Sequence, residues 1–346
     1  MFAPMDRAAW ERRQAVVAAV RAFFVSRGFD EVETPSLSLH RDVTVHIRDF
    51  FTEFRDDAGR RRTLGLVTSP EHHMKRLLGA GWGDIFQICR FFRNGESADL
   101  HNPEFTGVEW YEVHKDYRGC MDTTEALVRA VAAAAGVSRV QYGGIECRLD
   151  VPFERLTVRE AVLRHAGVDI AGVRDKNDLR EACAGAGERC AEDDSFDDMF
   201  FRLFLSRVEP RLGRGAPTFL CDYPPEMAAL SVIREADPGS PSCLTPHASR
   251  LSRVAERFEL YVAGVELCNG FTELRDPAEQ RRRFERQIDE KKRQYGGEYT
   301  IDEEFLAALE HMPPCAGNAL GLDRLIMLLL GKEKIFEVLL FPFPKE

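Results

Sequence analysis

Residues 90–111, RFFRNGESADLHNPEFTGVEWY, combine arginines, acids and aromatics around an Asn-Pro turn. Arg93 directly follows an apolar stretch that alternates like a strand, and Phe105 lies on the segment predicted to face it. A guanidinium can bind a phosphate through two parallel hydrogen bonds, and an aromatic ring can stack on a base. A surface arginine beside a core phenylalanine is the alternative interpretation. The stretch therefore predicts an antiparallel hairpin over 85–114 that could hold a nucleotide.

Residues 256–274, ERFELYVAGVELCNGFTEL, place acids on both sides of a predicted turn at Ala263-Gly264. In such a hairpin Glu259 and Glu266 would stand opposite one another, an arrangement that is destabilising for like charges. A Mg²⁺ ion shared with phosphates would make it favourable. Asn269-Gly270 is read as a second turn that brings Glu273 back to the same region. Solvated acids on an exposed strand face are the alternative.

Residues 321–331, GLDRLIMLLLG, predict a helix whose first turn contains Arg324. An arginine within an apolar segment needs an anionic partner, unless its stem lies along the edge and its head reaches water. A triphosphate could contact Arg93 and Arg324 directly and could be linked to Glu259 and Glu266 through a metal ion. The phosphate-binding patterns GxxxxGK[ST] and GxGxxG do not occur in the sequence.

The elements that must position these groups include both helices and strands, and the length of the chain allows a single enlarged α/β or α+β domain. Helices are predicted at 6–27, after Ser69-Pro70, at 122–136 and at 277–293, the last as a charged, solvated helix. We expect a single domain over residues 1–346, with a helical insertion at about 151–215 and a mobile loop at about 235–250.

Composition narrows the classes of function. The formal net charge of −10 argues against a protein that binds nucleic acid through bulk basic charge. The nine cysteines form no CxxC pair, which argues against a zinc site and favours a reducing, cytoplasmic setting. We expect no membrane span and no signal peptide, since no apolar run is long enough.

Three segments resemble the ordered motifs of class II aminoacyl-tRNA synthetases. RGFDEVETPSL resembles motif 1, FRNGESADLHNPEFTGVEWY motif 2 and GNALGLDRL motif 3. HNPEFT and VELCNGFTEL are similar to the lysyl-tRNA synthetase type in particular. The resemblance implies an α+β fold with an antiparallel sheet flanked by helices. It also implies ATP and Mg²⁺ as cofactors and a homodimer formed through motif 1.

The resemblance also implies roles for individual residues. Arg93 would bind the α-phosphate and the amino-acid carboxylate. Phe105 and Arg324 would sandwich the adenine, with Arg324 also reaching the γ-phosphate. Arg93, Glu266 and Arg324 would be catalytic, and Glu259 and Glu266 would hold Mg²⁺. The full ATP-binding set would be Arg93, Asn94, Gly95, Asn102, Phe105, Glu266, Leu267, Gly321 and Arg324. The amino acid would meet Ser69, Glu71, Glu109, Tyr111, Asn269, Glu273 and Ala319.

Two positions depart from the lysyl-tRNA synthetase pattern. Gly95 stands where motif 2 usually has a glutamate, so either Glu96 or the backbone at Gly95 would take over that adenine contact. Ala319 stands where a glycine is usual in the amino-acid pocket. One added methyl group can change selection between substrates by roughly 1–3 kcal/mol. Alanine at this position could therefore favour β-lysine over α-lysine. The alternative is that the replacement of glycine by alanine has no effect on selection.

The motif 1 helix begins at about residue 6, so we expect no N-terminal anticodon-binding domain. The chain then resembles the truncated lysyl-tRNA synthetase paralogues that ligate (R)-β-lysine, or lysine, to a lysine of elongation factor P. On this interpretation tRNA is not a partner. Two alternatives remain: a minimal lysyl-tRNA synthetase-like enzyme that charges tRNA, and a synthetase-like regulator without catalysis.

Overall fold

The computed structural model describes residues 5–170, 173, 175–235 and 253–344. The chain divides into two compact units: unit 1 comprises Met1–Val137 and Glu273–Glu346, and unit 2 comprises Ser138–Thr272. The expectation of a single domain over 1–346 stays a prediction. The loop expected at 235–250 lies, apart from its first residue, outside the described residues.

Unit 1 contains six α-helices and seven strands among its described residues. In chain order they are α1 (Arg7–Val25), β1 (Asp30–Glu31), β2 (Leu37–Ser38), β3 (Phe51–Arg55), β4 (Arg61–Leu66), α2 (Glu71–Gly79), β5 (Ile85–Phe92), β6 (Glu104–Val113), α3 (Tyr117–Ala134), α7 (Pro277–Tyr295), α8 (Glu303–Leu309), β14 (Cys315–Gly321) and α9 (Leu322–Leu329). Unit 2 supplies the elements numbered between α3 and α7.

The main sheet of unit 1 has the strand order β1-β5-β6-β14. β5 and β6 pair antiparallel, with Phe91 opposite Phe105, so the hairpin predicted over 85–114 is confirmed. β14 pairs antiparallel with β6, whereas the short edge strand β1 runs parallel to β5. Helix α1 packs its Phe24 ring 4.8 Å from Phe86 of β5. The hairpin is therefore fixed from behind by a buried aromatic layer.

Helix α7 was predicted to be a solvated charged helix, and that prediction is wrong for one of its faces. Its buried residues include Phe284, Ile288 and the charged Lys291. The Lys291 ammonium donates to the carbonyl oxygens of Asp42 at 2.7 Å and Ile47 at 2.8 Å. These carbonyls satisfy the buried ammonium, which is why a charged residue can lie on the inner face.

Unit 2 holds three α-helices and seven strands among its described residues: β7 (Arg139–Tyr142), β8 (Ile145–Arg148), β9 (Glu154–Thr157), α4 (Val158–Ala166), α5 (Lys176–Gly185), α6 (Phe196–Leu203), β10 (Thr218–Tyr223), β11 (Ile233–Glu235), β12 (Arg253–Val262) and β13 (Val265–Thr272). Its main strand order is β13-β12-β10-β9, with β11 also paired to β12. The helices α4 to α6 lie where the helical insertion was expected, but the strand β9 precedes them.

The β12–β13 hairpin turns at Ala263-Gly264 as predicted, and both residues have positive φ, 51° and 78°. Its register differs from the expectation. Glu266 lies opposite Tyr261, and Glu259 lies opposite Asn269. The turn is centred one residue later than the two glutamates require, and an irregularity between Leu260 and Tyr261 shifts the pairing further.

The proposed second turn at Asn269-Gly270 is also wrong. Both residues lie inside β13 and pair with β12, with Gly270 opposite Phe258. Glu273 follows the end of that strand and is the first residue of the second segment of unit 1. Its backbone N–H donates to the carbonyl oxygen of Cys315 at 3.0 Å, which places it beside β14.

Within the described ranges, no helix combines the length and the apolar character that crossing a bilayer requires.

Candidate functional site

Unit 1 brings together four of the residues expected to bind the amino acid. Glu109 and Tyr111 are two residues apart on β6 and so point to the same face of the sheet. The Tyr111 hydroxyl donates to Glu109 Oε1 at 2.7 Å. Glu71 comes from the first turn of α2, and Glu273 stands beside β14. We call this set of side chains, together with Lys75, the acidic pocket.

Lys75 is the member of the acidic pocket that sequence reasoning missed. Its ammonium lies 2.5 Å from Glu71 Oε1 and 2.5 Å from Glu273 Oε2, and its side chain is 1% exposed. Glu71 and Lys75 are four residues apart on α2, a spacing that lets their side chains meet. That spacing was the available signal, but it is equally typical of exposed helical ion pairs.

Burial dominates the electrostatics of the acidic pocket. It raises the pKa of Glu109 to about 8, and the charge of Glu71 adds to this rise. Burial likewise raises the pKa of Glu273 to about 8, although the charge of Lys75 opposes the shift. Burial lowers the pKa of Lys75, but the charges of Glu273 and Glu71 outweigh it and leave that pKa raised. Glu109 Oε2 is buried and has no hydrogen-bond partner among the described residues.

Strand β14 forms one wall of the acidic pocket. Gly317 lies opposite Tyr111, and Ala319 lies opposite Glu109. A methyl group built on Gly317 would overlap Glu273 Oε1 and the Tyr111 ring, so only glycine fits there. Ala319 shares that face of the strand and is half-buried, which is where a residue must lie to shape the pocket.

Ser69 precedes α2, and its hydroxyl accepts the backbone N–H of Glu71 at 3.3 Å. The bond orients the first turn of the helix from which Glu71 projects. Ser69 therefore lies beside the acidic pocket, and its contact with the amino group of the substrate stays a prediction.

The β5–β6 hairpin places Arg93 next to Phe105, as predicted. The guanidinium carbon of Arg93 lies 5.3 Å from the centre of the Phe105 ring, within the range of a cation–π interaction. Its backbone N–H donates to the Pro103 carbonyl at 2.9 Å, which closes the hairpin. Arg93 Nε is buried without a hydrogen-bond partner among the described residues, so its guanidinium retains donor capacity for an anion.

Gly95 has a φ of 81°, the left-handed region in which glycine is favoured. The carboxylate of the next residue, Glu96, lies 3.9 Å from Arg93 Nη1. The turn thus directs Glu96 toward Arg93. Asn94 and Gly95 are exposed. Asn102 is buried, with its amide donating to the Glu104 carbonyl at 2.6 Å and accepting from the Phe343 N–H at 3.0 Å.

Arg324 is held against the loop between β5 and β6. Its Nε donates to the Leu100 carbonyl at 3.2 Å, and its Nη2 lies 2.7 Å from His101 Nε2. His101 is a second residue that sequence reasoning missed. Gly321 ends β14 opposite Gly107 of β6 and starts α9, so Arg324 enters this region from the first turn of a helix.

The start of α9 is locked to β6 by Asp323. Its carboxylate forms an ion pair with Arg13 of α1 at 2.6 Å and accepts from the Thr106 backbone N–H at 2.7 Å. Asp323 is almost fully buried, and such a charge persists only with partners of this kind. The network positions the neighbouring Arg324.

His101 predicts a pH dependence. Burial and the charge of Arg324 hold its pKa below the ordinary value of 6.5, because both disfavour the protonated ring. The neutral ring accepts from Arg324 above pH 6.5, and protonation at lower pH breaks this bond. If Arg324 binds ATP as the motif resemblance implies, KM for ATP should rise as the pH falls below 6.5 in the wild type, because Arg324 then loses a partner that orients it. In His101→Gln this rise should be absent, because a glutamine oxygen accepts at every pH. An equal rise in both proteins, at saturating amino acid, would contradict the assignment.

Unit 2 carries the predicted metal ligands. Glu259 Oε1 accepts from Arg257 at 2.6 Å and Glu259 Oε2 accepts from the Tyr261 hydroxyl at 2.8 Å. Asn269, expected to meet the substrate, accepts from Arg257 Nε at 2.8 Å. Arg257 was missed by sequence reasoning; nothing in the linear pattern marks it. Burial, with the charges of Glu259 and Glu266, raises the pKa of Tyr261 well above its ordinary value.

The donor set of unit 2 has a limited capacity for a metal. No cluster of three or more His, Cys, Asp or Glu side chains suited to a metal ion occurs among the described residues. Mg²⁺ commonly uses one or two carboxylates together with substrate phosphates, and Glu259 and Glu266 fit that mode. Leu267 follows Glu266 at the bulge of β13 and is buried.

Comparison with known proteins agrees with this geometry. Residues 3–345 match the family model described as tRNA synthetases class II (D, K and N). A protein of Pectobacterium carotovorum subsp. carotovorum (strain PC1), named elongation factor P--(R)-beta-lysine ligase, is 42% identical over 95% of this chain and 93% of its own length. Proteins with the same name from Pectobacterium atrosepticum and Vibrio cholerae are 43% and 40% identical, over 95% and 97% of this chain and 93% and 95% of their own lengths.

With a family match that spans almost the whole sequence, and with the three motifs placed on an α+β fold, this chain belongs to the class II tRNA synthetase family of the D, K and N type.

Proposed function

We propose that the protein is a ligase that activates (R)-β-lysine, or lysine, with ATP and transfers it to a lysine side chain of elongation factor P. The observation that carries this proposal is the acidic pocket, whose three carboxylates and single ammonium suit an amino acid with two cationic groups. The names of the similar proteins support the choice of substrate and acceptor.

In the first step the amino acid binds in the acidic pocket. Glu71, which is the most exposed of the three carboxylates, would meet the amino group nearer the carboxylate of the substrate. Glu109, whose Oε2 has no hydrogen-bond partner within the described part of the chain, and Glu273 would receive the distal ammonium. Each buried charge then has a counter-charge, which removes the cost of leaving it unpaired.

Activation then requires positioning more than proton transfer. The substrate carboxylate, already ionised, forms a bond to the α-phosphorus of ATP while the bond to pyrophosphate breaks. Arg93 would bind both the carboxylate and the α-phosphate, with Phe105 against the adenine and Arg324 near the γ-phosphate. Preorganised cations stabilise the charge that develops on the phosphate oxygens.

For unit 2 we propose that Glu259 and Glu266 are the residues that would hold Mg²⁺. When bound, the ion neutralises phosphate charge. The contribution of the chain is to keep the two carboxylates oriented, and Arg257 and Tyr261 do so for Glu259.

In the second step the neutral amine of the acceptor lysine attacks the acyl carbonyl. The C–N bond of the amide forms, the C–O bond to AMP breaks, and the amine releases one proton to water. The test uses purified protein, elongation factor P, ATP and either lysine isomer, followed by the intact mass of elongation factor P. We expect an increase of one lysyl residue that depends on ATP. Charging of tRNA without modification of elongation factor P would favour the tRNA-charging alternative instead.

We further propose a cytoplasmic homodimer. The small sheet β2-β4-β3 of unit 1 exposes apolar side chains, among them Leu37, Phe51 and Phe54, and it follows directly on motif 1. Exposed apolar groups of this kind are typical of association surfaces. The eight described cysteines form no disulfide with one another, which agrees with a reducing compartment.

A further inference from the structure

Lys75 is buried more completely than lysines usually are. It lies one helical turn after Glu71 on α2, and its side chain is 1% exposed. Lysine is almost never fully buried unless it is paired, and here two carboxylates, Glu71 and Glu273, contact its ammonium at 2.5 Å. The second carboxylate comes from a different part of the chain, so Lys75 joins α2 to the residue beside β14.

The charges of the acidic pocket do not balance within it. With pKa values of about 8, Glu109 and Glu273 are largely protonated at pH 7 without substrate, and the ammonium groups of a bound diamino acid would favour their ionised forms. With Glu71 they then contribute three negative charges, and Lys75 contributes one positive charge. Two negative charges then remain, and a diamino acid brings two ammonium groups. Buried charges are costly unless they are compensated, so this charge balance selects a substrate with two ammonium groups.

We propose that Lys75 is a positioning residue that sets this charge balance. Its ammonium neutralises one of the three negative charges and holds Glu71 and Glu273 in place. Two negative charges are then left for the two ammonium groups of the substrate. The inference rests on the proposed function, because it concerns the amino-acid pocket of that reaction. Lys75 acts through the two glutamates and not on the reacting atoms.

If the ion pairs of Lys75 had a purely structural role, replacing Lys75 would not change the pH dependence of substrate binding. The groups that face Lys75 and its partners come from several elements: His72 of α2, Arg93 after β5, Glu109 and Tyr111 of β6, Arg275, Phe305 of α8 and Cys315 of β14. Among the charged ones, Arg93 and Arg275 are cations and Glu109 is an acid. Without the Lys75 cation the raised pKa values of Glu109 and Glu273 would rise further, so these carboxyls would keep an added proton to higher pH, and that proton would compete with the substrate ammonium.

The experiment measures ATP–pyrophosphate exchange at pH 7 to 9 in the wild type, Lys75→Met and Lys75→Arg. In Lys75→Met we expect KM for the diamino acid to rise about tenfold or more at pH 7, with KM for ATP unchanged. The ratio of the variant KM to the wild-type KM should fall as the pH rises, because the added proton is then lost. Lys75→Arg keeps the charge and should keep the wild-type pH profile.

Lys115→Met serves as the matched control, since Lys115 pairs with Glu112 and not with the acidic pocket. The positioning role would be overturned if the ratio of the Lys75→Met KM to the wild-type KM for the diamino acid did not change with pH. A parallel rise in KM for ATP would also overturn it. If Lys75→Met does not fold, Lys75→Gln replaces it, and failure of both to fold would overturn the proposal in favour of a structural role. Absence of exchange in the wild type would instead overturn the proposed function itself.

Discussion

Gly317→Ala is expected to raise KM for the diamino acid roughly 100-fold, while KM for ATP stays near the wild-type value. The added methyl group would overlap Glu273 Oε1 and the Tyr111 ring, so one or both must move away. A displacement of about 1 Å at a positioning group is enough for a loss of this size. The measurement is ATP–pyrophosphate exchange with each substrate varied in turn.

The control for this change is Gly83→Ala, because a methyl group on Gly83 meets no atom within 4 Å. Gly83→Ala should exchange like the wild type. If Gly317→Ala also exchanges like the wild type, binding of the diamino acid does not depend on the wall formed by β14. If it raises both KM values together, the effect is on the fold rather than on the acidic pocket.

Arg93→Gln is expected to lower kcat for exchange by roughly 100- to 1,000-fold, the usual cost of removing one preorganised donor to developing charge. Arg93 has a buried Nε without a partner among the described residues and lies against Phe105, so it is held where an anion can bind. Arg93→Lys should recover only part of the loss, because lysine keeps the charge but not the paired geometry of the guanidinium.

Arg90→Gln tests whether the effect belongs to Arg93. Arg90 lies on the same hairpin but is half-exposed and faces Glu104 at 3.6 Å. Its removal should change exchange by less than about twofold, in keeping with the small value of surface ion pairs. Equal losses in Arg90→Gln and Arg93→Gln would indicate a general electrostatic effect and would remove Arg93 from its proposed role.

Local patterns were enough to predict the elements that carry the site. Alternation in residues 85–114 predicted the β5–β6 hairpin, and the apolar spacing after Gly321 predicted α9. These signals are local because a strand or helix shows its period within about ten residues.

The register of β12–β13 could not be predicted in the same way. The turn depends on Ala263 adopting positive φ, which is uncommon for a residue with a side chain, and a bulge then shifts the pairing near Leu260. Neither feature has a periodic signal. The expected face-to-face position of Glu259 and Glu266 was wrong for that reason.

The missed residues share a physical cause. Lys75, His101 and Arg257 each act through partners that the fold brings near, and their charges resemble ordinary surface charges in the sequence. Only burial distinguishes Lys75 from an exposed helical ion pair, and burial depends on packing between elements distant in the chain. The resemblance to the synthetase motifs did not reveal these residues either, because it implies roles only for residues that would contact ATP, Mg²⁺ or the amino acid.

The most direct test of the account is ATP–pyrophosphate exchange by the purified wild-type protein with (R)-β-lysine, L-α-lysine and L-norleucine, which lacks the second ammonium group. We predict exchange with one or both lysines and none with norleucine, since the acidic pocket needs two cations. A preference for (R)-β-lysine would also support the role given to Ala319. Exchange with norleucine at a similar rate, or no exchange with either lysine, would contradict the claim that this pocket selects a diamino acid for activation.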